Sequence, residues 1–349
     1  MKASKRIIVW ILVSLSLQLS LYLFLDKYYF SDENNIKVTN LDNIVNNKEI
    51  KPNINFPEGV KDIALSYDKG YTSYFDSSNT LRVFETDTAK PVNIMFSKGA
   101  QCISYKWLPD TNRMILAETV SASKGKVVKF YSFDPETEDK EEIKDYNRNK
   151  VNSIPVSNSK PSVDIEFSTL TGVMYAKVAS GGATGVYRID RNEEMTKVNT
   201  AGRKVGDIKV SSHDDNLAYE DLTSNKIRTN VKLNSILSIK GSSTLYLLNA
   251  DGDNNIYVGN SVSHKVNKIY YGKLSENTTE WKMTQLTNAV DPSKIIIANG
   301  VIYVNNEDEN TLINVSTGKR ISYKGNLIEV FDDMVASASD SKLVFNPIK

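Results

Sequence analysis

The chain is poor in the residues that carry covalent chemistry. Its 349 residues include one cysteine, Cys102, and two histidines, His213 and His264. A lone cysteine excludes an internal disulfide framework. It lies in the apolar run Gln101-Cys102-Ile103-Ser104-Tyr105, where a free thiol acts as a small hydrophobe, so it is assigned to the core. Both histidines sit among polar turn residues, Ser212-His213-Asp214-Asp215 and Ser263-His264-Lys265. No Gly-x-Ser-x-Gly elbow occurs, which removes the usual sign of an α/β-hydrolase nucleophile. Gly181-Gly182-Ala183-Thr184-Gly185 has the glycines of a phosphate loop without the lysine and helix that must follow, and it is read as a hairpin loop. Charge is balanced, with 43 Lys and Arg against 42 Asp and Glu, for a net +1. No basic block stands out, which argues against nucleic acid as a partner. Sustained helical periodicity is also missing beyond the first segment.

What the sequence does have begins at its N-terminus. From Ile7 to Leu25 there is no charged residue, and Lys2, Lys5 and Arg6 precede the run. About 19 residues at about 1.5 Å each give roughly 28 Å, the hydrocarbon thickness of a bilayer. Ser14, Ser16 and Ser20 do not forbid insertion, because a helical serine can return its hydroxyl to a carbonyl one turn earlier. A cleaved signal peptide would end in small residues, whereas this run ends in Leu23-Phe24-Leu25-Asp26-Lys27. The reading is an uncleaved single-pass signal anchor at 7–25 in a cell membrane, with residues 1–6 as a cytoplasmic tail and everything beyond exported.

Residues 26–60 are polar, rich in Asn, and contain Pro52 and Pro57. They are expected to form an extracytoplasmic stalk. A second reading lets a piece near Ile36 to Val45 add a strand to the last repeat and close a ring, since exposed sheet edges must be covered. Asn makes up about one residue in ten, above the usual share, which with the many Lys and Ile hints at an A+T-rich bacterial gene.

Residues 61–349 read as short apolar alternations broken by turn signals. Each unit runs strand, turn, strand, turn, strand ending near Asp or Asn, then a weaker strand. Examples are Ile63-Ala64-Leu65-Ser66-Tyr67, Tyr71-Thr72-Ser73-Tyr74-Phe75 and Leu81-Arg82-Val83-Phe84-Glu85 in the first unit. The fifth unit is taken to start at Ile236-Leu237-Ser238-Ile239, and residues 136–161 are taken as loop. The spacing of roughly 40 to 45 residues is that of a four-stranded blade. The expected fold is all-β, a propeller of about seven blades, with six also compatible and a β-sandwich pair as the alternative.

The second unit carries a family likeness. Trp107-Leu108-Pro109-Asp110-Thr111 and the later Phe130-Tyr131-Ser132-Phe133-Asp134 resemble the Trp-Ser-Pro-Asp-Gly repeat of Tol-system and prolyl-oligopeptidase-type β-propellers. Trp107, Pro109 and Asp110 match; Leu108 replaces the serine and Thr111 the glycine. The full match covers one blade and implies a fold alone. The α/β catalytic domain of the prolyl-oligopeptidase family has no counterpart here.

One stretch suggests a metal. Asn249, Asp251, Asp253 and Asn255 alternate around Gly252 as oxygen ligands of a calcium loop would. Asn254 stands where that loop wants glycine, and Asp-Gly is ordinary hairpin chemistry, so a plain turn is the competing reading. No other cofactor is expected. The functional expectation is a non-catalytic binding or scaffold protein of the bacterial cell envelope, docking an envelope protein, a peptide or a glycan. The alternatives are an enzyme acting on envelope glycan or peptide through carboxylates at the ring axis, and a sensor or partner subunit signalling through the anchor.

Overall fold

The computed structural model describes residues 2–24, 50–123, 125–145, 150–151, 153–157, 160–233 and 235–348. The chain divides into two units, residues 1–49 and 50–349. In the first, Lys2–Phe24 is one α-helix, long and apolar enough to cross a membrane. Its large apolar side chains are all exposed, Trp10 by 73%. Ser20 Oγ donates to the Ser16 carbonyl at 2.9 Å, which satisfies the hydroxyl without a partner helix. Leu25 and the Ile36–Val45 stretch lie outside the described residues.

The second unit is a seven-bladed β-propeller whose blades follow one another in chain order. The first strands are Lys61–Leu65, Gln101–Trp107, Ser162–Ser168, Val205–Val210, Leu245–Ala250, Ile295–Ala298 and Asn326–Val330. These strands touch those of adjacent blades and ring the axis, while later strands lie progressively outward. Five of the seven first strands carry a β-bulge, in blades 1, 2, 4, 5 and 7. A bulge adds twist and re-aims the side chains beside it.

Alternation explains the ring. In the second strand of blade 2, Met114 and Leu116 pack toward blade 1 while Ile115 and Ala117 pack toward blade 3. One sheet therefore feeds two cores. Among the described residues there are seven such clusters, one at each blade interface. Cys102 belongs to the interface of blades 1 and 2, buried as expected, and burial pushes its thiol up to about 12. Trp107, from the matched repeat, lies in the same interface and donates its indole N–H to Ser73 Oγ at 2.8 Å.

Aspartates bind the turns. Asp76 accepts the Ser78 and Thr80 amides, Asp190 those of Asn192 and Glu194, and Asp221 those of Thr223 and Ser224. This side-chain mimicry of a backbone turn is why Asp and Asn recur where strands end. The glycine-rich stretch is the hairpin expected: Ser180 pairs with Ala183 around Gly181 and Gly182, whose φ of 61° and 83° require glycine.

The ring closes through its own first residues. Asn55 bridges Lys342 in antiparallel fashion, with Phe56 N–H donating to the Ser341 carbonyl at 2.6 Å and Leu343 N–H to the Ile54 carbonyl at 3.1 Å. Ile54 and Phe56 are buried in the interface of blades 7 and 1. The segment supplies the fourth strand that blade 7, otherwise three-stranded, lacks.

Two sequence readings need correction. Residues 136–161 are not all loop: Asp139–Glu142 and Ser153–Val156 both pair with the third strand of blade 2, Gly125–Asp134. Turn-rich composition hid a fourth strand split in two by an insertion. Ile236 does not begin blade 5; it bridges Arg228 at the outer edge of blade 4. Blade 5 starts at Leu245 and ends with the long strand Lys282–Val290.

Candidate functional site

The axis brings together charged residues from separate blades. Lys106, Glu166 and Lys209 come from the first strands of blades 2, 3 and 4, and each is flanked there by apolar residues. Lys106 Nζ lies 3.3 Å from Glu166 Oε2, and Lys209 Nζ pairs with Glu166 Oε1. Burial pushes the Glu166 carboxyl up, but the two ammonium groups outweigh it and hold the group below its usual range. Burial likewise opposes the charge on Lys209, and Glu166 more than restores it.

Glu329, from the first strand of blade 7, sits in a different environment. Burial raises its carboxyl to about 7, against the Leu65 amide and the field of Lys106, which lower it. The axis thus holds one carboxylate locked ionised and another that titrates near neutrality. The sequence sign of these residues is a single charge inside an apolar strand core: Tyr105-Lys106-Trp107, Ile165-Glu166-Phe167, Ile208-Lys209-Val210 and Ile328-Glu329-Val330. Isolated strands read as amphipathic noise; four of them superposed on a ring read as an axial charge network.

On one rim, the loops between first and second strands lock to one another. Ser168 Oγ donates to the Asp214 carbonyl at 2.9 Å, Ser212 Oγ to the Asp251 carbonyl at 2.9 Å, and the Asn254 side-chain amide to Asp214 Oδ2 at 2.6 Å. Lys69 pairs with Asp333 at 3.1 Å, joining blades 1 and 7. His213 lies in this rim. His264 lies in the hairpin between Val262 and Lys265 of blade 5, at the other end of the strands. Successive turns of an up-and-down sheet alternate ends, so the two histidines occupy opposite rims and do not meet.

Of the calcium-loop residues, Asp251, Asp253 and Asn255 meet within the turn, while Asn249 reaches the next blade. Asn249 turns its side-chain amide to the Ile297 carbonyl at 2.9 Å. Asp251 Oδ1 accepts the Asp253 and Asn255 amides at 3.0 and 2.9 Å, and Oδ2 accepts the Tyr257 hydroxyl at 2.6 Å and the Asn255 side-chain amide at 2.9 Å. Asp251 faces donors on both oxygens, and the Asn255 amide group points its hydrogens at it. That donor arrangement makes Asp251 the hub of the turn, the competing reading of this stretch. No group of three or more His, Cys, Asp or Glu side chains among the described residues is placed to share a metal.

Fold and axis together define a seven-bladed β-propeller, preceded in sequence by a helix able to span a membrane. No known protein family matches the chain by sequence, and no characterised protein is detectably similar to it. Solved propellers are similar in structure. A catalytically inactive variant of virginiamycin B lyase from Staphylococcus aureus, with quinupristin, aligns with a TM-score of 0.50 at 14% identity, covering 85% of this chain and 98% of that one. The Cps50 (Swd1) β-propeller domain from Myceliophteria thermophila aligns with a TM-score of 0.50 at 8% identity, covering 86% and 99%. At such identities the likeness establishes the fold and nothing of the chemistry. It bears out a propeller in the resemblance read from Trp107, Pro109 and Asp110, without singling out the Tol system.

Proposed function

We propose that this chain is a membrane-tethered binding protein, its propeller held on the extracytoplasmic side of a bacterial cell membrane and docking an envelope protein, peptide or glycan. The observation that carries the reading is the order of parts: Lys2, Lys5 and Arg6, a charge-free helix, then a closed and charge-balanced ring. Positive charge on the N-terminal flank favours retention of that end in the cytoplasm. The axial network supports binding over chemistry, because Glu166 is neutralised by Lys106 and Lys209. The staphylococcal lyase is inactive with one histidine replaced. At 14% identity the likeness carries the fold alone, so that chemistry is not carried over to this chain.

The test is protease added to intact cells, followed by capture of the full chain in detergent and mass spectrometry of what co-purifies. Cleavage of the propeller from outside and recovery of an envelope partner are expected. A protected propeller overturns the orientation.

One observation favours a second reading, an enzyme with an axial acid. A carboxyl near 7 is what a general acid requires, and Glu329 has one. Turnover of envelope polysaccharide or peptide by the full chain, lost in Glu329→Gln, would establish it.

A further inference from the structure

The seam where the ring closes carries a cleft of about 460 Å³. That lies within the range of roughly 300–1,000 Å³ of small-ligand sites. Its walls come from the two ends of the propeller: residues 56–63, leading from the closing strand into blade 1, and residues 326–328, 338, 340 and 341 of blade 7. Phe56, Val60, Ile63 and Leu327 give it an apolar floor, buried or half-buried. Glu58, Asp62 and Asp340 stand exposed on its rim against a single Lys61. Among the described residues no ion pair neutralises Glu58 or Asp62. Asp62 is held in a left-handed conformation, φ 51°, by the bulge between Lys61 and Ala64. The Tyr105 hydroxyl donates to its carbonyl, pinning the backbone and leaving the carboxylate to the rim.

We propose that this seam cleft binds an arginine or lysine side chain presented by an extended segment of a partner polypeptide. The charge balance of the rim selects a cation, and the apolar floor takes the methylene stem that such a side chain lays along a surface while its head stays with the carboxylates. A guanidinium can span two carboxylates at once, which places arginine above lysine. Because both walls belong to the closing seam, an occupant bridges the first and last elements of the ring and stabilises the closed form by mass action. This inference rests on the reading of the propeller as a binding module and names the chemistry of its ligand.

The experiment uses the full chain in detergent micelles and two blocked tripeptides, acetyl-Leu-Arg-Leu-amide and acetyl-Leu-Glu-Leu-amide. The arginyl peptide is expected to bind about tenfold more tightly or better, with affinity falling as salt rises. The double variant Glu58→Gln with Asp62→Asn should weaken it about tenfold, since two exposed charge contacts are lost. Val60→Lys, which places a cation over the floor, should abolish binding. Bound peptide should also slow amide exchange at Ile54–Phe56 and at Ser341–Leu343, but not at Lys106 or Glu166. Equal binding of the two peptides, an unchanged affinity in the folded double variant, or protection at the axis instead of the seam each overturns the site. If envelope partners are still captured by the double variant, the seam fails while the binding-protein reading stands.

Discussion

Blades 2 and 4 solve the same problem with different means. Blade 2 has second and third strands of 9 and 10 residues, and its core residues Met114, Leu116, Phe130 and Phe133 are wholly buried. Its outer edge is covered twice, by Asp139–Glu142 and Ser153–Val156. Blade 4 has a third strand of only 4 residues, and its fourth is reduced to the Arg228–Ile236 bridge. In place of ladder it has a polar hub. Asp221, fully covered, accepts from Ser224 Oγ and Arg228 Nε, both at 2.7 Å, and Arg203 Nε lies 3.1 Å away. Apolar area and hydrogen-bonded charge are thus interchangeable ways to hold one unit of a repeat, but they differ in what weakens them.

The sharpest break is in blade 2. Phe130→Ala should destabilise the propeller by about 3–5 kcal/mol, from lost burial plus the cavity left behind. Denaturant unfolding of the full chain in detergent checks it, and a loss under about 1 kcal/mol would show that blade 2 is less packed than its burial implies. Next is exchange. Amides of Lys226–Thr229 should exchange about tenfold faster than those of Gly125–Asp134, since a short ladder at a thin edge opens locally at lower cost. Equal rates would erase the contrast.

Smaller, and confined to blade 4, is the titration of its hub. Burial pushes the Asp221 carboxyl up, but Arg228 and the Ser224 and Thr223 donors overcome this and lower it to about 2. A carboxyl depressed in the folded state contributes stability present above its unfolded value, near 4, and lost as pH falls through about 2. Asp221 is covered but its partners Arg203 and Arg228 stay partly exposed, so screening trims the contribution to about 1 kcal/mol. Asp221→Asn should cost that much at neutral pH and little at pH 2; melting at both values checks it. Least of all, Ile236→Ser at the exposed edge of blade 4 should change stability by under about 0.5 kcal/mol.

This contrast also explains what the sequence could and could not say. Blade 2 was legible because long alternating strands flank a Trp-x-Pro-Asp turn. Around blade 4 the phase slipped, since a strand reduced to one bridge leaves Ile236–Ile239 looking like the start of the next unit. The split outer edge of blade 2 was hidden by charge-rich and Pro-containing composition, where pairing is decided by the neighbouring strand. Of the axis, Lys106, Glu166, Lys209 and Glu329 were visible as charges in apolar strands, but only superposition of blades shows that three of them meet. Asp251 was found for its oxygen atoms, yet hydrogen-bond donors, which the loop's composition does not reveal, decide what those atoms face.

The pairing of Asn55 with Lys342 has a consequence in time. Residues near the beginning of the domain wait, unmatched, until nearly all the rest has been synthesised, and the entropy of joining such distant points must be met in one late step. Six interfaces can assemble as the polypeptide emerges; the seventh cannot. Until then Ile54 and Phe56 remain greasy and uncovered, and a newborn chain is at its most vulnerable to wrong partners just before it is finished.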